Sequence, residues 1–129
     1  MQTTLFLGAL CAFTGVAFGA FGAHGLKAIL SPEMLTVYQT GVTYQMWHAL
    51  GLILVALLQQ TSPTAKLLSW ASHLMFIGIL LFSGSLYALA ILDIKALGMI
   101  TPFGGGCFLS AWVLVAVYAV KKKTHNRYS

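Results

Sequence analysis

Apolar residues run along this chain in four long blocks, and only short polar stretches separate them. The first block extends from about Thr4 to Leu26. Ser31-Pro32-Glu33 then carries the marks of a helix start: a capping hydroxyl, a proline whose missing N–H does no harm, and an acid in the first turn. Gln59-Gln60-Thr61-Ser62-Pro63 breaks the second block and offers another Ser-Pro start, Asp93-Ile94-Lys95 breaks the third, and Thr101-Pro102 opens the fourth. The pattern predicts helices over about 4–26, 32–60, 63–92 and 102–120. Each is close to the roughly 20 apolar residues that a membrane-spanning helix needs. The expected fold is all-α, an antiparallel four-helix transmembrane bundle forming one domain over 1–129. Helix 2 is longer than a bilayer is thick, so residues 32–41 either lie along the membrane surface or rise above it.

Within the first block, small residues recur on one side. At about 100° per residue, Gly8, Ala12, Gly15, Gly19 and Gly22 fall within an arc of roughly 100°, continued by Ala23 and Leu26. Phe6, Phe13 and Phe21 project opposite. In water each glycine would weaken the helix by about 1 kcal/mol relative to alanine. In lipid the backbone must keep its own hydrogen bonds, so the helix holds and the glycines let a neighbour come close. These five positions are the expected helix-packing stripe, and the others should pack on this helix. A cleaved signal peptide fits poorly, because residues 1–4 carry no Lys or Arg.

Composition sharpens the solvent. Hydrophobic residues make up 59% of the 129, charged residues only 7%, and mean hydropathy is +0.88. A soluble domain carries about 25% charged residues and could not cover its core with so few. The net charge of +5 does not indicate nucleic acid, because the basic residues form no face: Lys121, Lys122, Lys123 and Arg127 follow the last apolar block, as headgroup anchors do. Four spans put both termini on one side, together with Lys66 and that basic tail; Lys27 and Lys95, with Glu33 and Asp93, lie on the other. The positive-inside rule then places both termini in the cytoplasm. Tyr38, Tyr44, Trp47 and Tyr87 are expected near the outer boundary, and Trp70 and Tyr118 near the inner one. Cys11 and Cys107 read as small packing residues.

In that topology the polar residues gather near the outer face. On helix 2, Gly41, Tyr44, Gln45, His48, Leu52, Val55 and Gln59 share about a third of the circumference. On helix 3, Ser69, His73, Phe76, Ser83 and Tyr87 project together. Polar groups in lipid turn inward for partners, which predicts one hydrogen-bonded cluster with His48 near its centre. His24 projects on the phenylalanine side, so either the Gly22–Gly25 turn distorts or His24 faces water at the boundary. His73 lies nearer the cytoplasmic end. GAFGAHGLK at 19–27, YQMWHAL at 44–50, LFSGSLYALA at 81–90 and ITPFGGG at 100–106 resemble the signature blocks of the YgdD-like family of small four-helix membrane proteins, domain of unknown function 423. The resemblance spans nearly the whole chain. It implies an inner-membrane, multi-pass location and supplies no catalytic activity. It singles out His24, Gly25, Lys27, Tyr44, Gln45, His48, Ser83, Gly84, Ser85, Tyr87, Thr101, Pro102, Gly104 and Gly105.

These residues bear on several chemistries. His24 with His48 falls two ligands short of a closed zinc site. A proton or ion pathway asks for intramembrane carboxylates, and the two acids lie in loops. Ser83 or Ser85 with His48 lacks an orienting acid for nucleophilic catalysis. Gly104, Gly105 and Gly106 after Thr101-Pro102 could present N–H groups to an anion, with Lys27 on the same side; close approach to helix 1 is the favoured reading. The expectation is a non-enzymatic integral membrane protein that needs no cofactor or metal. It would act by binding membrane lipids or a protein partner within the bilayer, with a homo-oligomer as one form of that. The alternative is a small transporter or channel with its polar site around His48 in the outer half.

Overall fold

The computed structural model describes residues 1–128, and side-chain surroundings through Thr124. The side chain of Arg127, counted above in the basic tail, lies outside the described residues. The chain folds into α1 (Gln2–His24), α2 (Pro32–Thr61), α3 (Lys66–Gly78), α4 (Gly84–Leu92) and α5 (Thr101–Tyr128). Short 3-10 turns, Leu26–Ala28 and Lys95–Met99, lead into α2 and α5. A π turn over Ile79–Ser83 joins α3 to α4, so Lys66–Leu92 is one continuous rod. There are thus four helices long and apolar enough to cross a membrane, and no strand among the described residues.

Ser31 caps α2 as its sequence suggests, accepting from the Met34 N–H at 3.2 Å. From there α2 runs unbroken for 30 residues, about 45 Å at 1.5 Å per residue, against a hydrocarbon core of about 30 Å. The second Ser-Pro pair behaves differently. Ser62 closes α2, and its hydroxyl accepts from the Tyr118 hydroxyl at 2.7 Å instead of capping a helix. The third span therefore begins at Lys66, not at Pro63, with Ala65 at its N-cap. The fourth continues to Tyr128, beyond the expected end at Val120. Lysine is a good helix former and favours a helix C-terminus, so Lys121–Lys123 prolong the helix where the apolar pattern stops. Lys122 also donates to Thr61 at 3.2 Å.

The glycine stripe is where α1 meets α2. A Cβ built on Gly8 would lie 2.9 Å from Ile53, one on Gly15 2.5 Å from Met46, and one on Gly22 2.5 Å from Tyr38. These three glycines recur every seventh position, the spacing of a left-handed seam. Gly19 sits more loosely, 3.4 Å from Val42, and Ala12 packs at the margin of the core. Gly8, Gly15 and Gly22 thus face α2, and α2, not α1, is the helix in the middle. The main core joins Leu52, Val55, Leu68, Met75, Phe108 and Ala111 from α2, α3 and α5. On the far side α5 packs on α3, with Phe108 over Gly78 and the Gly104 backbone against Phe82. Two of the expected boundary aromatics, Trp47 and Trp70, are 59% and 64% exposed. Tyr38 and Tyr118, by contrast, are buried and spend their hydroxyls on partners inside the protein.

Gly15→Leu is expected to lower stability by about 1–3 kcal/mol, the usual range for overpacking, because Met46 already fills the space. Gly106→Ala, where nothing lies within 4 Å, should be neutral or stabilise by up to about 1 kcal/mol. SDS-titration unfolding of the two variants checks the contrast.

Candidate functional site

Gln45 is the side chain that ties the helices together. It is buried on α2, and its amide meets three partners. Nε2 donates to the Cys11 carbonyl at 2.9 Å and to Thr14 Oγ1 at 2.8 Å on α1. Oε1 accepts from the Tyr87 hydroxyl at 2.6 Å on α4. Thr14 can accept because its own proton goes to the Leu10 carbonyl at 2.9 Å. The Tyr87 ring lies 5.1 Å from Tyr38 and 5.3 Å from Phe18, and Tyr38 donates to the Phe18 carbonyl at 2.6 Å. Gly41 leaves room for the Tyr87 ring, which a Cβ there would meet at 2.8 Å.

His48 belongs to a second group, one turn further along α2 and facing α5. Its Nδ1 lies 2.7 Å from the Tyr44 carbonyl. A carbonyl only accepts, so Nδ1 carries the proton and Nε2 is the acceptor. Trp112 Nε1 donates to that Nε2 at 3.0 Å. The imidazole is neutral, both nitrogens are engaged, and the ring stacks on Phe108 at 3.5 Å between centroids. Ser83 donates to the Gly41 carbonyl at 2.7 Å. Ser85 donates to the Phe82 carbonyl at 2.9 Å, so at 2.6 Å it receives the Thr101 hydroxyl proton.

The expected cluster therefore exists as separate groups, and its hub is Gln45. His48 is not the centre because it projects about 60° away from Gln45 on α2, toward α5, whereas Gln45 faces α1 and α4. His24 is exposed at the end of α1, level with α2 near Tyr38 and about 15 Å along the axis from His48. Lys27 is exposed in the following turn. Neither joins a polar group. Gly104 is buried against Phe82, not against α1; Gly105 is half-buried and Gly106 is open. The glycine run thus serves approach between the last two spans. On the third span, Ser69 and His73 are exposed although they project with Ser83, which is fully buried. The π turn between them adds a wide turn that no single α-helical projection can cross. Sequence reasoning missed Thr14, Phe108 and Trp112. Phe108 and Trp112, four apart on one face of the last block, were the available signal.

Beside these groups the spans part and leave two lateral grooves. One, of about 590 Å³, opens between α2 and α5 and is lined by Tyr44, Trp47, Phe82, Phe108, Leu109 and Trp112. The other follows α1 and α3 and has a mixed and an apolar section. Among the described residues no three His, Cys, Asp or Glu side chains converge on a point.

Four long apolar helices that bury Gln45, His48 and Ser83 with hydrogen-bond partners inside the protein define a polytopic helical membrane protein. Residues 18–105 match the family described as "Protein of unknown function (DUF423)", and the chain belongs to that family. It is similar to the UPF0382 membrane protein YwdK of Bacillus subtilis (strain 168), 47% identical over 121 residues that cover 94% of this chain and 98% of that one. The UPF0382 membrane protein SH2409 of Staphylococcus haemolyticus is 44% identical over the same shares. The UPF0382 membrane protein SERP0230 of Staphylococcus epidermidis is 43% identical, again over the same shares. No solved structure matches.

Gln45→Leu is expected to lower stability by about 1–3 kcal/mol by leaving the Tyr87 hydroxyl without its partner and removing both side-chain hydrogen bonds to α1. Tyr87→Phe should cost about 1 kcal/mol alone and close to nothing when added to Gln45→Leu. Unfolding of the two single variants and the double variant in detergent measures that coupling.

Proposed function

We propose that this is a non-enzymatic protein of the cytoplasmic (inner) membrane that works by binding, holding a lipid or a partner helix in a lateral groove. Its four spans run antiparallel, with both termini in the cytoplasm. The observation that carries the reading is the groove between α2 and α5. Its walls are aromatic and aliphatic, it opens sideways, and Trp47 and Leu109 on its rim are exposed. Pockets built from rigid aromatic walls with few polar groups suit an apolar occupant. The occupant is an acyl chain or a helix, the latter from a second copy or from another membrane protein. The engagement of both His48 nitrogens supports a scaffolding role for that side chain, since a relay needs a nitrogen free to exchange its proton. The charge distribution supports the orientation: Lys66 and Lys121–Lys123 share one end with Met1, whereas Glu33 and Asp93 sit at the other with Lys27 and Lys95.

Reporter fusions at both ends should be active only in the cytoplasm. Protein purified in mild detergent should retain a lipid or partner, detected by native mass spectrometry. Trp47→Ala with Leu109→Ala should weaken that retention about tenfold, roughly 1.4 kcal/mol. Proteoliposomes should show no solute or proton flux above empty vesicles. Flux abolished by His48→Ala would favour a transporter instead.

A further inference from the structure

We propose that the groove between α1 and α3 is a second, specific lipid site, which takes one uncharged amphiphile with a hydroxyl-bearing head, of the diacylglycerol class. This deepens the binding reading above and rests on it. The groove has two sections in line. The section at the Met1 end is a cavity of about 340 Å³ with a mixed lining, in which Thr4, Gln59, Ser69, Ser72 and His73 supply polar groups among apolar walls. The next, about 310 Å³, has walls of Leu10, Phe18, Ile79 and Leu80. Phe76 lines both, so the two are neighbours along one seam. A chamber with several polar groups, opening onto an almost wholly apolar trough, suits an amphiphile whose head lies in the first and whose acyl portion lies along the second.

The second, independent observation is Gln59. Its side chain is buried, only 8% of the residue being exposed, and its Oε1 is enclosed with no hydrogen-bond partner. Every other engaged amide or imidazole on α2, Gln45 and His48, is fully used. An enclosed amide oxygen without a donor is costly, and costlier where lipid surrounds the protein. Oε1 itself has almost no accessible surface, so a hydroxyl in the cavity pairs with it once the amide turns; because a hydroxyl both donates and accepts, it satisfies a primary amide in either orientation. The rest of the lining favours donors too. Ser72 gives its proton to the Ser69 carbonyl at 2.8 Å, and His73 gives its Nδ1 proton to the same carbonyl at 2.6 Å. Ser72 Oγ and His73 Nε2 are thereby left as acceptors. No Lys, Arg, Asp or Glu side chain lines the cavity among the described residues, so no side chain there pairs with a charged head; Met1, with its α-amino group, is part of the lining.

The test uses the full chain in detergent, native mass spectrometry for adducts and thermal unfolding for stability. Dioleoylglycerol should give a 1:1 adduct and raise the unfolding temperature; dioleoylphosphatidylcholine, with the same chains and no head donor, should bind at least tenfold more weakly. Gln59→Leu should lose at least tenfold in dioleoylglycerol affinity yet be no less stable than wild type without ligand. Ile77→Trp, which narrows the cavity from an exposed position, should lose binding as well. Equal binding of the two lipids, or unchanged binding by Gln59→Leu, overturns the proposal. So does a lower unfolding temperature of unliganded Gln59→Leu, which would make the amide structural, and so does equal stabilisation by glycerol, which has no chain. Failure here with a lipid or partner still lost on Trp47→Ala sinks this site alone. Loss of both sinks the binding reading itself.

Discussion

Hydrocarbon offers no hydrogen bonds, so every polar group carried into it must find its partner within the protein. That demand explains why Gln45 is buried at the meeting of three helices. An amide has one acceptor and two donors, and here the acceptor goes to Tyr87 and the donors to the Cys11 carbonyl and Thr14. One α2 side chain thereby fixes the rotation of α1 and α4 about their own axes. The glycines at every seventh position act along the same seam, since only their missing Cβ lets the α1 backbone sit close enough for the Cys11 carbonyl to be reached.

The other side of α2 is organised by rings. His48 stacks on Phe108 and receives the Trp112 N–H, and the Tyr44 ring is 4.6 Å from Phe82. Phe108 can occupy that place because Gly78 leaves room beneath it, and Phe82 because Gly104 does. Both contacts border the π turn at Ile79–Ser83. The wide turn lets α3 face the core through Leu68 and Met75 while Ser83 reaches the Gly41 carbonyl and Ser85 reaches Thr101. A regular helix over the same span would present a single face to these three directions.

Hydropathy made the four spans, the Ser31 cap and the glycine stripe legible, because length and period are local properties of the chain. The α2 face was legible for the same reason: Gly41, Gln45, His48, Leu52, Val55 and Gln59 are all buried. The pairing of those residues was not, because it depends on which neighbour each part of the circumference meets. Thus Gln45 and His48, three positions apart, serve different helices. The π turn carries no sequence mark of its own, so the α-helical period alone puts Ser69 and His73 with Ser83. The role of Ser62 also escaped, since a Ser-Pro pair reads as a cap until Tyr118, far along the chain, takes the hydroxyl.

The grooves are open for a physical reason. In water, parted helices would expose apolar walls at a cost of about 25 cal/mol per Å². In lipid an apolar wall loses almost nothing by meeting acyl chains, so no hydrophobic force closes the seam. The aromatic groove beside His48 can therefore stay open in the bilayer, and what it holds is held by packing against its rings. The α1–α3 groove differs because of Gln59. An acyl chain cannot satisfy an amide, so the energy of that groove depends on which molecule fills it. Selectivity in a bilayer arises at such points, where one polar group is left over after the protein has paired the rest.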